Sequence, residues 1–237
     1  MNSKLAQSTS ANQQTSLRMG VILCITSVLA IVVIAHHPMA SGSSSNDIIL
    51  SIRQQSTPDR LVHGGLMLLL GVWTTAMVYL SCLMGIKRPV VLAACLSYIL
   101  AIVLLFISAT LDGFAIPLIV GQCDLTTTTC SQTILTMLRL SSFYIETLTR
   151  SGLYAVAIAI LLWAVDVLRR PGRAKVVGGI GIVSASVQFW QLRDFTVRLT
   201  PHSLLQISGA QILWYLATAA LMAGWFGLGI DDEDNEL

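Results

Sequence analysis

Charge is scarce in this sequence. Charged side chains make up 11% of the 237 residues and hydrophobic ones 54%, where a typical soluble domain carries roughly 25% charged residues. A mean hydropathy of +0.75 leaves too little polar surface to cover a water-soluble fold. The apolar residues also come in long blocks, which excludes a soluble bundle with narrow apolar stripes. The 14 basic and 12 acidic residues nearly cancel, to +2, so bulk charge points to no nucleic acid partner. The one dense basic cluster, Arg169, Arg170, Arg173 and Lys175, lies between two apolar blocks and reads as a topology signal. Signatures of soluble enzymes are missing too. There is no His-Glu-x-x-His and no Gly-x-Ser-x-Gly, and Gly178-Gly179-x-Gly181 has no strand before it to form a phosphate loop. The partner that composition does imply is the lipid bilayer; it names no protein partner.

What is there instead is length without charge. A bilayer core of ~30 Å needs about 20 mostly apolar helical residues. Six blocks qualify: 19–36, 61–84, 90–111, 143–167, 175–192 and 205–228. Backbone groups in lipid must pair within their own segment, and these blocks lack the alternation of barrel strands. The expected fold is all-α, a polytopic transmembrane helical bundle of about six spans. Residues 1–18 read as a polar cytoplasmic segment, 19–228 as the six-span domain and 229–237 as an acidic, solvated tail. The first block reads as a retained span and not a signal peptide, because a polar stretch precedes it and no A-x-A site follows. The serine-rich region 37–60 predicts an external loop with a short surface helix at 48–55. Gly85 to Pro89 predicts a tight turn joining spans two and three as antiparallel neighbours. No internal repeat is visible.

Orientation follows from Lys and Arg in the loops. With the N-terminus inside, the inner segments hold eight: Lys4, Arg18, Lys87, Arg88, Arg169, Arg170, Arg173 and Lys175. The outer segments hold five, Arg53, Arg60, Arg139, Arg193 and Arg198, while Arg150 falls inside a span. The bias places both termini in the cytoplasm. Of five cysteines, Cys24, Cys82 and Cys95 sit in apolar blocks as small hydrophobes. Cys123 and Cys130 flank a polar stretch in the loop after span three, which the charge count puts outside. A disulfide persists there and rarely in the cytosol, so the two are expected to pair; the alternative is two unpaired thiols.

The polar residues within and beside the spans gather at one depth. His36 and His37 end span one, His63 opens span two and His202 precedes span six, all at the outer boundary. Asp112 ends span three, Glu146 begins span four, and Arg150 lies one turn from Glu146 on the same helix face, where the two can pair. Asp166, at the inner end, stands four residues before Arg170 in an interfacial pair. Ionisable groups at the centre of a span cost roughly 2.5–3.5 kcal/mol, so those present should face the bundle interior or reach the interface. The candidate site is therefore a polar cluster of His63, Asp112, Glu146 and Arg150. Gly113 and Pro117 break the helix beside it and predict that 114–121 fold back.

The His37-Pro38 that closes span one, His63-Gly64-Gly65, Ser108-Ala109-Thr110-Leu111-Asp112-Gly113-Phe114 through Pro117, and Gln211-Ile212-Leu213-Trp214-Tyr215 together make a recognisable layout. It resembles a loose group of uncharacterised bacterial six-span membrane proteins, a domain of unknown function. The resemblance covers most of the chain and implies the bundle architecture and a bacterial plasma membrane. No activity is attached to the group. The polar N-terminal extension, the acidic tail and the cysteine loop depart from its pattern.

For function, the reading favoured by these residues is a non-enzymatic membrane module with an outer-leaflet polar cluster and no cofactor. A small-solute or ion transporter is the first alternative; against it stand a midplane nearly free of charge and the lack of repeats. The second is a metal-dependent hydrolase at the outer interface, with zinc or copper held by His63, Asp112 and Glu146 and joined by His37 or His202. Against that stands spacing, since no two histidines lie at helical ligand spacing. A haem held by His63 and His202 would need axial positions within facing helices, and both histidines sit at helix entrances. Span five, rich in Gly178, Gly179, Gly181, Ser184, Ala185 and Ser186, suits close helix packing and could equally line a path. Trp73, Trp163, Trp190, Trp214 and Trp225 read as interface anchors or bundle filler.

Overall fold

The structure, a computed structural model, describes residues 2–38, 41–124, 128–195, 198–199 and 201–225. The acidic tail lies outside them. Among the described residues every regular element is helical. They are α1 (Asn2–Ala35), α2 (Ser45–Leu83), α3 (Pro89–Thr110), a π-helical turn (Leu111–Ala115), α4 (Ile116–Gly121), α5 (Thr128–Leu168), α6 (Ala174–Leu192) and α7 (Pro201–Met222).

Five stretches are long and apolar enough to cross a bilayer: Gln13–Ala35, Asn46–Leu83, Pro89–Gly121, Thr129–Leu168 and His202–Met222. α6 is long enough to cross but is not among these five by composition. Its 19 residues reach about 28 Å, the thickness of a bilayer core. Its ends mark opposite ends of the bundle. Asp166, eight residues before it, is ion-paired to Arg88 of the α2–α3 turn, whereas the backbone just after it, at Asp194, accepts from Arg150 near the other end of α5. Gly178 and Gly181 let α6 lie directly on α5. A Cβ at Gly178 would stand 2.9 Å from the Ala164 carbonyl oxygen, and one at Gly181 would stand 2.6 Å from Ala164 Cβ. Gly178 and Gly181 of span five are thus part of a packing surface, whereas Gly179 meets nothing within 4 Å.

The core is built around buried aromatics, and all but Trp214, whose indole N–H has no partner among the described residues, have their polar atom satisfied where lipid offers none. Tyr98 and Tyr215 join hydroxyl to hydroxyl at 2.6 Å, linking α3 to α7. Trp73 donates to Thr26 Oγ and Trp163 to Ser81 Oγ, each at 3.1 Å. Trp73, Trp163 and Trp214 are therefore bundle filler, while Trp190 and Trp225, 65% and 76% exposed, are placed as anchors.

Two expectations need correction. Residues 37–60 are not mainly loop. α2 starts at Ser45 and runs unbroken through Pro58. A reciprocal capping box starts it, with Asp47 N–H donating to Ser44 Oγ and Ser44 N–H to Asp47 Oδ2. With 39 and 41 residues, α2 and α5 are about 58 and 61 Å long, twice the membrane core. Their N-terminal halves leave the bundle together and clasp α4, burying Ile49, Val120, Cys123 and Ile134 in a small separate core. Arg53 donates to the carbonyls of Val120 and Cys123 at the end of α4, and Ser131 Oγ donates to Asn46. Cys123 and Cys130 stand at disulfide distance in this cap, their Cα atoms 5.8 Å apart.

The second correction concerns 114–121, which do not fold back. Pro117 lacks an N–H, and its ring would crowd the carbonyl one turn earlier. The chain widens into the π-helical turn at Leu111–Ala115, with the Ile116 N–H bonded to Leu111 O, and continues as α4.

Candidate functional site

Four helices deliver side chains to one end of the bundle. His63 projects from α2, where it is 4% exposed. Its Nδ1 faces two oxygens of Asp59 one turn earlier, the backbone carbonyl at 2.9 Å and Oδ1 at 3.1 Å. Its Nε2 lies 3.3 Å from Asp112 Oδ2 and 3.3 Å from His37 Nε2. His37, just past α1, places its own Nδ1 2.8 Å from the Pro38 carbonyl and its Nε2 4.0 Å from Asp112 Oδ2. The two imidazoles meet edge to face, with centroids 4.9 Å apart.

The π-helical turn makes this possible. Gly113 presents bare backbone to His63, and a Cβ there would overlap the Cβ and Cγ of the histidine. The wide turn thus carries Asp112 to the imidazole and lets α2 approach.

Glu146 and Arg150 form a second, separate group. Arg150 donates Nε and Nη2 to Glu146 Oε1 at 3.2 and 3.0 Å, and Nη1 to the Asp194 carbonyl at 2.9 Å. The Leu199 N–H donates to the same Glu146 oxygen at 3.2 Å. This pair ties the α6–α7 connection onto α5, and its charges are neutralised locally. The sequence grouped His63, Asp112, Glu146 and Arg150; the geometry joins His63 to Asp112 and Glu146 to Arg150. His37 and Asp59, which depth alone left secondary or unnoticed, complete the first group. His202 lies elsewhere, against Gln206 at 3.0 Å.

Both groups border one cavity of about 520 Å³, a size typical of small-molecule sites. His37, His63, Asp112, Glu146 and Arg198 contribute its charged and titratable lining, while Leu70, Trp73, Leu105, Leu153 and Ile212 are among its apolar wall. The order of lining residues along each helix gives its depth. From His63 to Trp73 along α2 is ten residues, or about 15 Å of helix. The cavity therefore has a polar mouth and a largely apolar floor, with Gln211 of α7 the polar side chain at that depth.

Opposite, at the far end of the bundle, Asp166 is 1% exposed and fully engaged. Arg88 reaches both its oxygens, at 2.9 and 3.1 Å, and Arg170 reaches Oδ2 at 3.1 Å and the Met84 carbonyl at 2.7 Å.

No family model matches the chain, and neither a curated protein nor a solved structure does. What the fold defines is a class: this is a multi-pass α-helical membrane protein.

Proposed function

We propose that this protein is a small-molecule-binding module of the bacterial plasma membrane, with both termini in the cytoplasm, that takes up one amphipathic, lipid-like molecule from the outer leaflet. The observation that carries this reading is the cavity with a polar mouth and a largely apolar floor. A ligand with one aliphatic arm and a hydrogen-bonding head matches that polarity, and a wholly polar solute does not. The orientation is supported by eight of the loop cations lying toward the Asp166 end. The cysteine pair at the other end fits an oxidising compartment.

The test uses Trp73, the tryptophan that lines the cavity. The full chain in lipid nanodiscs is titrated with a bromine-tagged fatty acid, whose bromine quenches indole fluorescence on contact. Saturable quenching is expected. Ala109→Phe, which fills the cavity, should weaken it at least tenfold, about 1.4 kcal/mol. Leu100→Phe on the lipid-facing side of α3 should leave it unchanged. Quenching that rises without saturation and is equal in the two variants would refute the reading.

A further inference from the structure

The mouth of the cavity holds three donor atoms that face one another. Pro38 O can only accept, so His37 Nδ1 carries the proton. Both Asp59 oxygens on His63 are likewise acceptors, so His63 Nδ1 carries one too. In the neutral rings each Nε2 is then left with its lone pair exposed. Those two lone pairs and Asp112 Oδ2 converge with separations of 3.3, 3.3 and 4.0 Å. Three electron-rich atoms at such distances repel unless a cation or a proton sits among them. Two of the edges match the ~3.3 Å edge of a tetrahedron whose metal–ligand bonds are about 2.0–2.1 Å.

We infer that His37 Nε2, His63 Nε2 and Asp112 Oδ2 bind a zinc-type divalent cation at the mouth of the cavity. Two imidazoles and one carboxylate are a ligand set of borderline softness, suited to zinc. Asp59 is a positioning residue. It holds the His63 Nδ1 proton and so aims Nε2 at the metal, the role carboxylates commonly take behind metal-bound histidines. Gly113 is the seat that lets His63 approach. His37 and Asp112 are 31% and 36% exposed at their side chains, so the fourth position opens outward and toward the cavity. Three protein ligands with an open fourth position are the arrangement of a reactive zinc centre. There the cation would grip an anionic oxygen of the bound head group. That last role rests on the cavity reading above, and the metal site itself does not.

The competing arrangement is a metal-free network in which His63 is protonated on both nitrogens and bridges Asp59 and Asp112. The full chain, stripped with chelator in nanodiscs, is titrated with Co²⁺, and bound metal is read by visible absorption and elemental analysis. One Co²⁺ per chain with the intense bands of a four-coordinate site, displaced by Zn²⁺, is expected. His63→Ala and Asp112→Asn should each abolish the bands, Asp59→Asn should weaken binding roughly 10–100-fold, and His202→Ala should leave it unchanged. Ala109→Phe should retain the bands even as it loses the amphiphile, which separates failure of the cavity reading from failure of the metal site. A folded wild-type chain that takes up no Co²⁺ and shows a doubly protonated His63 by nitrogen NMR would overturn the inference. So would uptake that survives Asp112→Asn and His63→Ala.

Discussion

The two ends of the bundle solve the same problem in opposite ways. Each must hold ionisable groups at the edge of lipid, where an unpaired charge is costly. At the Asp166 end the account is closed: one buried carboxylate, two guanidinium groups and a carbonyl engage one another. At the His63 end two imidazoles and a carboxylate are ordered by Asp59 and Pro38 from behind and meet one another beside a cavity. The lesson is that burial and charge alone do not mark a functional site. The mark is polar atoms held rigidly from behind and converging on one another beside a cavity. By the same criterion Glu146 and Arg150 are structural, although Glu146 lines the cavity.

The comparison breaks most visibly at the closed end. Asp166→Ala leaves two arginines without their carboxylate, and a loss of about 3–5 kcal/mol is expected on removing one member of a buried ion cluster. Reversible unfolding in bicelles measures it. Replacing the whole cluster by Arg88→Met, Asp166→Leu and Arg170→Met should restore most of the loss, because no charge is then stranded. At the open end, Gly113→Ala forces the new methyl against His63. The cost should be about 1–3 kcal/mol, typical of overpacking. The same variant should lose Co²⁺ uptake, which Asp166→Ala in its folded fraction should not. The smallest effect is a gain. Gln188 on α6 is fully buried, and its amide has no hydrogen-bond partner among the described residues. Gln188→Leu removes that unmatched polar group and should stabilise the bundle by about 1–2 kcal/mol in the same assay.

Much of the fold was legible because lipid imposes a simple length rule. α6 was read as 175–192 and is Ala174–Leu192. The extension of α2 was legible only as the short surface helix at 48–55 and that of α5 not at all, since outside the bilayer a helix can be polar and a hydropathy pattern reads it as loop. The Ser44–Asp47 capping box was the available signal. Gly113 and Pro117 suggested a break because both weaken an ordinary α-helix, whereas the chain kept its bonding by widening one turn. For the site, common depth brought His63 and Asp112 together correctly. It could not say which way a side chain turns, so it merged them with Glu146 and gave His37 second place. Asp59 was readable as an acid one turn before His63, a spacing that puts it behind the imidazole.

The central claim is that one end of this bundle opens to the outer compartment through the cavity while the other is sealed. A single cysteine reports this in a chain otherwise free of cysteine, reconstituted in intact cells. Ser208→Cys, in the cavity wall, should react with a membrane-impermeant thiol reagent added outside and be protected by the bound fatty acid. Arg169→Cys, exposed at the opposite end, should react only after the membrane is opened. Labelling of both positions from the same side, or of Ser208→Cys from the cytoplasm alone, would contradict the account.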